Sequence, residues 1–193
     1  MSETRLQVFT FRTPLGWIGI AGNGQTVWQI TFGHANERDA YAALERGRAG
    51  DAQHGNWCPK LVEKLKKFAA GAKIDFRDVK LNLDHLSEFQ REVVKHCRAI
   101  TYGQTRSYGE LADAAGSPGA ARAVGTTMAK NRFPLVVPCH RVVASGGGIG
   151  GFSAPNGLDM KRQLLALEGH AAKTKKAKAR TSSRRRRVTA AAR

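Results

Sequence analysis

The sequence predicts a small α/β domain over residues 1–83, followed by a mainly helical domain over residues 84–170. Three short strand-like segments with tight turns between them lie within residues 5–33, and helical patterns follow. After residue 83 the pattern becomes helical and includes two short helices joined by a glycine turn. A chain of 193 residues is long enough to bury a core in one large domain or in two small ones.

The first half is expected to open with an antiparallel meander. Three segments have the alternation or the β-branched and aromatic content of strands: residues 7–11, 17–21 and 26–32. Their short connections favour antiparallel pairing. Helices are predicted over residues 36–48 and 59–70, the second with Pro59 in its first turn. Residues 74–83 form either another strand or an extended connector.

The second half contains a pattern typical of a helix-turn-helix. Ser107 and Glu110 have the spacing of a capping box, which predicts a short helix ending at Gly116. Ser117 is expected to cap a second helix that runs toward Lys130. This second helix is rich in small residues, which would let its backbone approach a partner or a packed core closely.

Amphipathic helices are predicted on either side of this pair, over residues 87–100 and 158–168. Cys97 falls on the apolar face of the first and is interpreted as core. The three cysteines are widely spaced and form no Cys-x-x-Cys pair, so a disulfide framework is not expected and a reducing, cytoplasmic compartment is favoured. No apolar run of membrane-spanning length and no secretory signal is visible.

The charge balance points to a polyanionic partner. The net charge is +17, which favours nucleic acid. Residues 171–193 hold ten Lys and Arg and no acid, and the rest of the chain still holds 22 against 15 acidic residues. We interpret residues 171–193 as a disordered basic tail that adds phosphate contacts. A solvated tail without a role is the alternative.

The most informative stretch is the apolar, strand-like run of residues 135–143, which Pro138, Cys139, His140 and Arg141 interrupt. A cysteine among valines is more often an inert buried thiol. The adjacent imidazole favours a reactive cysteine instead, because it can accept the thiol proton and stabilise the thiolate. Neighbours in a strand point to opposite faces, so a direct Cys139–His140 hydrogen bond requires a bend or a bridging water.

Two further features belong to this candidate site. Glu168, at the end of the predicted 158–168 helix, could orient the imidazole as the third member of a nucleophile–base–acid set. A surface acid near a helix end is the alternative. The glycine-dense residues 145–153 predict a hairpin whose backbone can approach a flat ligand closely. No Gly-Lys-Ser/Thr follows these glycines, so nucleotide hydrolysis is not supported.

On these motifs the chain resembles the O6-alkylguanine-DNA alkyltransferases, also called methylated-DNA–protein-cysteine methyltransferases. The resemblance covers about residues 6–170, and the motif centred on Cys139 is its most specific part. The matching segments are residues 13–16, Phe89-Gln90, Ser107-Tyr108, residues 121–125, Asn131, Pro134, residues 138–142 and residues 164–169. The basic tail lies outside it.

The resemblance implies an α/β N-terminal domain of the ribonuclease-H-like type and a mainly α C-terminal domain of the winged helix-turn-helix type. The recognition helix would enter the minor groove of double-stranded DNA, and the alkylated guanine would flip into a pocket beside Cys139. Arg122 would fill the space left by the flipped base. The residues that contact DNA would be Arg122, Ala120, Ala121, Ser145 and Ser117.

The resemblance also implies the chemistry. Cys139 would be the nucleophile and alkyl acceptor, His140 its base through a water, and Glu168 the group that orients His140. Because a thioether is a poor leaving group, the protein would react once. Tyr108 would contact the guanine and donate a proton. Three residues would bind the substrate or shape its site: Val142 and Ser153 through their backbone, and Asn131 by holding a turn.

The reaction implied is direct-reversal repair of O6-alkylguanine, and of O4-alkylthymine, by a monomer in the cytoplasm or on the nucleoid of a bacterium. No cofactor and no metal is expected. Some family members bind a structural zinc ion, but this sequence offers no clear ligands for one. His54 and Cys58 have the spacing of neighbours on a helix, but Gly55 and Pro59 argue against a helix there. No contact with a membrane is expected.

The chain departs from the family pattern at several places. Arg132 follows Asn131 where the family commonly has Pro, and Val94 stands where Trp is usual. Ser87-Glu88 replace a common Gly-Thr. The segment 153–157 is longer than the Gly pair that is frequent there, which bears on pocket size and on the preferred alkyl group. None of these departures is expected to touch the chemistry itself.

Three other functions fit parts of the pattern. An alkyltransferase-like protein that only binds lesions would lack the nucleophile, and Cys139 is present. A helix-turn-helix regulator would be expected to carry an effector domain or a metal-binding cysteine cluster. A cysteine peptidase would need Cys139 and His140 to face each other, which adjacent strand positions do not allow, and it would leave the charge unexplained.

Overall fold

The computed structural model describes residues 5–45 and 52–169. A five-stranded sheet forms the first part of the fold, in the order β4-β1-β2-β3-β5. β1, β2 and β3 are antiparallel neighbours, whereas the short β4 and β5 pair in parallel with β1 and β3 at the two edges. The strands are β1 (Gln7–Thr13), β2 (Gly16–Asn23), β3 (Thr26–His34), β4 (Gln53–His54) and β5 (Lys80–Leu81).

The predicted meander is confirmed by the register of its strands. β1 and β2 pair from Gln7 opposite Gly22 to Thr13 opposite Gly16, with a tight turn between them. Gly16 has a φ of +90°, and a Cβ there would lie 2.7 Å from the carbonyl oxygen of His34. This turn therefore needs glycine for its conformation and for the close approach of β3.

Two helices accompany the sheet, α1 (Glu37–Leu44) and α2 (Pro59–Ala69). The side chain of Asn36 caps α1 by accepting from the backbone N–H of Asp39. The predicted end of α1 at residue 48 lies outside the described residues. α2 begins at Pro59 as expected, and residues 74–83 are mostly an extended connector that holds only the two residues of β5.

The second part of the chain is mainly helical, as the sequence predicted. The predicted capping box of Ser107 and Glu110 is present at the start of α4, and a second capping box, formed by Ser87 and Gln90, begins α3. Two residues of β6 pair in parallel with two of β7. The elements are α3 (Glu88–Ala99), β6 (Arg106–Ser107), α4 (Tyr108–Ala114), α5 (Ala121–Ala129), β7 (Val142–Val143) and α6 (Gly157–Leu167).

The start of α5 differs from the prediction. Ser117 does not cap it, because the helix begins at Ala121 and no side chain caps its N-terminus. Ser117 instead accepts from the backbone N–H of Ala120 in a turn, where Gly119 has a φ of +82°. A left-handed residue cannot continue a right-handed helix, so the helix starts after it.

Two predicted extended segments are wrong. Residues 135–143 are turns followed by a 3-10 helix, Cys139–Arg141, and only β7 is a strand. Leu135 has a φ of +72°, and Pro138 has no N–H to donate, so a continuous strand is not possible. Residues 145–153 form a loop rather than a hairpin, since Gly146 and Gly150 also have positive φ.

One hydrophobic core passes through both predicted domains. The inner face of the sheet packs against α2 and against the helices of the second part, and Cys97 is fully buried within it, as expected. Its fully buried members include Ile20, Phe32, Phe68, Val93 and Leu164. A smaller cluster under α1 covers the opposite face of the sheet. The site described next lies where the larger core meets the end of α6.

Candidate active site and nucleic-acid interface

Cys139 starts the 3-10 helix that interrupts the apolar run. Its backbone N–H donates to the carbonyl of Val137 at 2.8 Å, and the N–H of Arg141 donates to the carbonyl of Pro138 at 2.9 Å. The residue is 8% exposed and lines a pocket of about 220 Å³. The bend turns the thiol toward this pocket and sends the next two side chains into the protein interior.

His140 and Glu168 form a buried pair. Nε2 of His140 lies 2.8 Å from Oε1 of Glu168, and each side chain is 1% exposed. Nδ1 of His140 is buried and has no hydrogen-bond partner among the described protein atoms. A carboxylate can only accept, so the ring hydrogen lies on Nε2 and Nδ1 carries a free lone pair.

Arg141 completes the surroundings of Glu168. Its Nε donates to Oε2 at 2.9 Å and its NH2 donates to Oε1 at 2.9 Å, while NH1 donates to the carbonyl of Ile100 at 2.6 Å. The backbone N–H of Gly103 donates to Oε2 at 3.1 Å. Burial acts to raise the pKa of Glu168, but the hydrogen bonds from His140 and Arg141 outweigh it and lower that pKa to about 2.

The titration of the thiol and the imidazole is set mainly by burial. Burial raises the pKa of Cys139, while Asn131 and Lys161 act in the opposite direction. Burial lowers the pKa of His140, although the Glu168 carboxylate acts to raise it. At neutral pH the site therefore holds a neutral thiol, a neutral imidazole and a carboxylate, which leaves the imidazole free to accept a proton.

Asn131 lies in the turn between α5 and the segment that carries Cys139. Its Nδ2 donates to the carbonyl of Val137 at 2.9 Å, and its Oδ1 accepts from the N–H of Phe133 at 2.9 Å. The amide thus bridges the two ends of the turn. Because Val137 also accepts from the N–H of Cys139, this bridge fixes the backbone that presents the thiol.

Tyr108 stands at the N-terminus of α4 beside the glycine loop. A Cβ on Gly150 would lie 2.9 Å from the Tyr108 hydroxyl oxygen, so this close approach requires glycine. Burial raises the pKa of Tyr108, and a backbone hydrogen bond with Gly151 acts to lower it. The phenol stays protonated at neutral pH and can donate a hydrogen bond.

The remaining predicted substrate-binding residues surround the same region. Val142 is fully buried directly after the 3-10 helix, and its carbonyl accepts from Nζ of Lys161 at 2.6 Å. Ser153 is exposed, and its hydroxyl donates to the carbonyl of Ala129 at 2.9 Å. The loop that carries Ser153 is thereby tied to the C-terminal end of α5.

The predicted DNA-contacting residues lie at the surface around α5. Arg122 is exposed on the first turn of the helix and makes no ion pair with the described residues. Ala120 and Ala121 precede it with intermediate exposure, as does Ser117 in the turn before the helix. Ser145 is exposed on the glycine loop. This surface thus combines one exposed cation with small side chains, which would let a polyanion approach the helix closely.

Comparison with known proteins decides the family. Residues 88–170 match the family described as 6-O-methylguanine DNA methyltransferase, DNA binding domain. A methylated-DNA–protein-cysteine methyltransferase of Mycolicibacterium paratuberculosis is 40% identical over 159 residues, which cover 82% of this chain and 90% of that protein. This chain belongs to the methylated-DNA–protein-cysteine methyltransferase family. A methyltransferase of Methanosarcina acetivorans with the same name is 34% identical and is covered to 96%.

Solved structures of this methyltransferase family agree with the sequence match. The structure of Mycobacterium tuberculosis OGT in complex with DNA superposes with a TM-score of 0.69 at 33% identity, over 86% of this chain and 94% of that chain. The O6-methylguanine-DNA methyltransferase of Pyrococcus kodakaraensis gives 0.65 at 30% identity, over 85% and 99%. The sheet-plus-helix architecture is therefore shared with these structures.

Lys161 is a buried charge of this methyltransferase that the sequence analysis did not single out. It is fully buried on α6, and its Nζ donates to the carbonyls of Val142 at 2.6 Å and Gly151 at 3.1 Å. The same Nζ lies 5.9 Å from the ring centroids of Tyr108 and Phe152. Burial lowers its pKa to about 8. The ammonium holds the glycine loop against β7.

The sequence carried a weak signal for this lysine. Lys161 stands three residues before Leu164 and seven before Glu168, on the face of α6 that is buried. A charge on the apolar face of a helix needs a partner in the interior. The role of Arg141 was also missed, although the residue lies within the recognised motif, because its partner Glu168 is 27 residues away.

No group of three His, Cys, Asp or Glu side chains within residues 5–45 and 52–169 is arranged to hold a metal ion. His54 lies in β4 and Cys58 precedes α2, so they do not share a helix. Within the same ranges, no helix is both long enough and apolar enough to cross a membrane.

Proposed function

We propose that this protein reverses DNA alkylation directly, by moving an alkyl group from O6-alkylguanine, and from O4-alkylthymine, onto Cys139 in a single turnover. The observation that carries the proposal is the buried His140–Glu168 pair, in which Nε2 is held and Nδ1 is free to accept. Membership of the methyltransferase family, with Cys139 in place, supports it.

The proton path follows from the direction of the imidazole. Glu168 is ionised and holds the hydrogen of His140 on Nε2, so Nδ1 accepts the thiol proton of Cys139 through a bridging water. The imidazolium that forms is stabilised by the same carboxylate. Because burial raises the pKa of the thiol, Cys139 stays unreactive until a substrate is in place.

The transfer itself is one displacement. The thiolate sulfur of Cys139 forms a bond to the alkyl carbon, and the bond from that carbon to O6 breaks with its electron pair staying on the guanine. A proton from the Tyr108 hydroxyl, replaced from His140, leaves the base neutral. The products are unmodified guanine and a thioether, and the thioether does not release the alkyl group.

The base would be held by groups that lie around the thiol. Tyr108 contacts one edge of the flipped guanine, and the backbone of Val142 and Ser153 reads the others. Asn131 keeps the thiol in place through the turn that it bridges. The free lone pairs of backbone carbonyls and the N–H groups of the glycine loop supply the hydrogen bonds that a buried base needs.

Double-stranded DNA would be bound by α5, the second helix of a winged helix-turn-helix domain over residues 84–170. Arg122 would enter the stack in place of the flipped base, while Ala120 and Ala121 lie against the minor groove. Ser117 and Ser145 would contact the backbone. The N-terminal part, residues 1–83, would have the ribonuclease-H-like arrangement. We expect a monomer that acts in the cytoplasm, on the nucleoid if the source is bacterial.

The basic tail would add affinity that does not depend on sequence. Residues 171–193 lie outside the described residues, and their contribution is argued from charge alone. Ten cations without an acid would neutralise phosphates and release counterions.

The experiment is to mix the protein with a duplex that holds one O6-benzylguanine and to weigh the intact protein. Wild type should gain one benzyl group, and Cys139→Ala should gain none. Cys58→Ala is the matched control, since Cys58 is a partly exposed free thiol and its loss should leave the adduct unchanged. Tight binding by wild type without any adduct would instead identify a lesion-binding protein and overturn the proposal.

A further inference from the structure

We propose that the pocket beside Cys139 is an alkyl subsite with a cationic rim at Arg132, which favours O6-alkyl groups that carry a carboxylate over neutral groups of the same size. The inference rests on the proposed function, because it names which O6-alkylguanines the same site prefers. It concerns a residue at which this chain departs from the pattern of its family.

The pocket is larger than a methyl group needs. Its volume is about 220 Å³, whereas the share of one water molecule in the liquid is about 30 Å³. Its walls are formed by Ile30 and Phe32 of β3, Met128 of α5 and Phe152 of the glycine loop. The rings of Phe32 and Phe152 meet edge to face with their centroids 6.4 Å apart. Several non-hydrogen atoms fit between these walls.

The pocket lies next to the thiol, between the segment that carries Cys139 and β3. Cys139, Asn131 and Ser153 line it, whereas Tyr108, which would contact the opposite edge of the guanine, does not. A guanine held between Tyr108 and Cys139 therefore places its O6 substituent at the sulfur, with the outer atoms of that substituent directed toward β3. The part of the substrate that enters the pocket is the alkyl group.

Arg132 is the one charged residue among the described residues that line this pocket. Its side chain is exposed and makes no hydrogen bond or ion pair that would neutralise it within the described chain. Its backbone is fixed, since the N–H of Ile30 donates to the Arg132 carbonyl at 2.8 Å. The side chain of Arg132 therefore starts from a backbone position at the rim that β3 and the Asn131 turn hold in place.

The electrostatic effect of Arg132 is visible at a neighbour. The pKa of His85 is lowered by burial and then by the positive charge of Arg132, with Asp84 acting in the opposite direction and Arg91 in the same one. The surroundings of the rim are therefore net cationic. An anionic alkyl group gains from this field, and a neutral group of equal size does not.

The test uses a matched pair of lesions, O6-carboxymethylguanine and O6-carbamoylmethylguanine, placed in the same duplex. The single-turnover transfer rate of each is measured for wild type, Arg132→Gln and Arg132→Lys. The ratio of the carboxymethyl rate to the carbamoylmethyl rate should fall about two- to fivefold in Arg132→Gln, the size of one partly exposed charge pair. Arg132→Lys should keep most of the wild-type ratio.

Three results are informative. A lower ratio in Arg132→Gln, with transfer from O6-methylguanine unchanged, supports the subsite. An unchanged ratio overturns it, and if both rates fall equally, Arg132 is a general phosphate contact. Failure of wild type to take a methyl group from O6-methylguanine would reject the proposed function itself, which separates that failure from one that concerns Arg132.

Discussion

The charged side chains around the segment Cys139–Arg141 are buried and paired, whereas helix α5 carries an exposed arginine. Around the thiol, the side chains of His140 and Glu168 are 1% exposed, that of Arg141 is 7% exposed, and all three are joined by hydrogen bonds. On α5, Arg122 is exposed and has no ion-pair partner among the described residues. The charged groups of the first region are paired inside the protein, whereas the arginine of the second is exposed to solvent.

The difference reflects what each region must do. A buried charge is tolerated only with good partners, because its desolvation costs several kcal/mol. The buried Glu168 carboxylate fixes the tautomer and the orientation of the His140 imidazole. An exposed arginine costs little on a soluble surface and is available to neutralise phosphate. Substitutions around Cys139–Arg141 should therefore alter stability and the transfer chemistry, and substitutions of exposed residues on α5 should alter only the reaction with lesions in DNA.

The largest effect is expected for His140→Gln. Loss of the general base should slow transfer by about 10²–10⁴-fold. The pH profile should change as well: transfer by wild type should fall as pH drops through the lowered pKa of His140, and the variant should lack this dependence. Single-turnover rates on duplex and on free O6-benzylguanine measure both. An unchanged rate with the variant would exclude His140 as the base.

Glu168→Gln should mainly cost stability, because it leaves Arg141 buried without its carboxylate. The free energy of unfolding should fall by about 3–5 kcal/mol in denaturant titrations. The pKa of Glu168 is lowered to about 2 in the folded state, so its contribution is present above about pH 5 and is lost as pH falls toward 2.

The difference in unfolding free energy between wild type and Glu168→Gln should therefore shrink over that interval. The matched control is Glu63→Gln, whose exposed carboxylate pairs with Lys67 and whose loss should change stability much less than the loss of Glu168. Equal losses in the two variants would contradict the contrast between buried and exposed charge.

Arg122→Ala should slow transfer from a lesion in duplex DNA without slowing transfer from the free base. Transfer from a duplex lesion should fall about tenfold, since the variant cannot fill the space of the flipped base. Transfer from free O6-benzylguanine and the melting temperature should stay the same, because Arg122 is exposed and unpaired within the described chain. Lys60→Ala, which removes an exposed cation on α2, is the control. A parallel loss on the free base would place Arg122 in the catalytic site.

The smallest effect at low salt is expected for removal of residues 171–193. The logarithm of the affinity for undamaged duplex should depend less steeply on the logarithm of salt concentration. The slope should fall by about 0.9 for each tail cation that contacts a phosphate. The transfer rate from bound lesion should not change. Identical salt slopes with and without the tail would assign it no role in DNA binding.

Local sequence patterns were enough to locate most helices. Ser107 caps α4 as predicted, because a capping box depends on residues three positions apart, and the amphipathic pattern of residues 87–100 located α3. Prediction failed where distant contacts decide. An apolar run such as residues 135–143 is buried equally well as a strand or as turns, and sequence periodicity cannot separate the two.

The candidate site was predicted in part for the same reason. Cys139 and His140 stand together in a specific motif, and Glu168 could be proposed from the end of its helix. The link between Arg141 and Glu168 spans 27 residues, and the ammonium of Lys161 reaches the carbonyl of Val142 across 19. Such contacts arise only when α6 packs behind the 3-10 helix, which no local pattern reveals.

The most direct test of the account is the extent and the site of transfer under excess substrate. The protein is incubated with excess duplex that contains O6-methylguanine, digested, and its peptides are weighed. The account predicts one methyl group per protein, carried on the peptide with Cys139, and no further repair after that. Continued repair beyond one equivalent, or a methyl group on Cys58 or Cys97 instead, would contradict it.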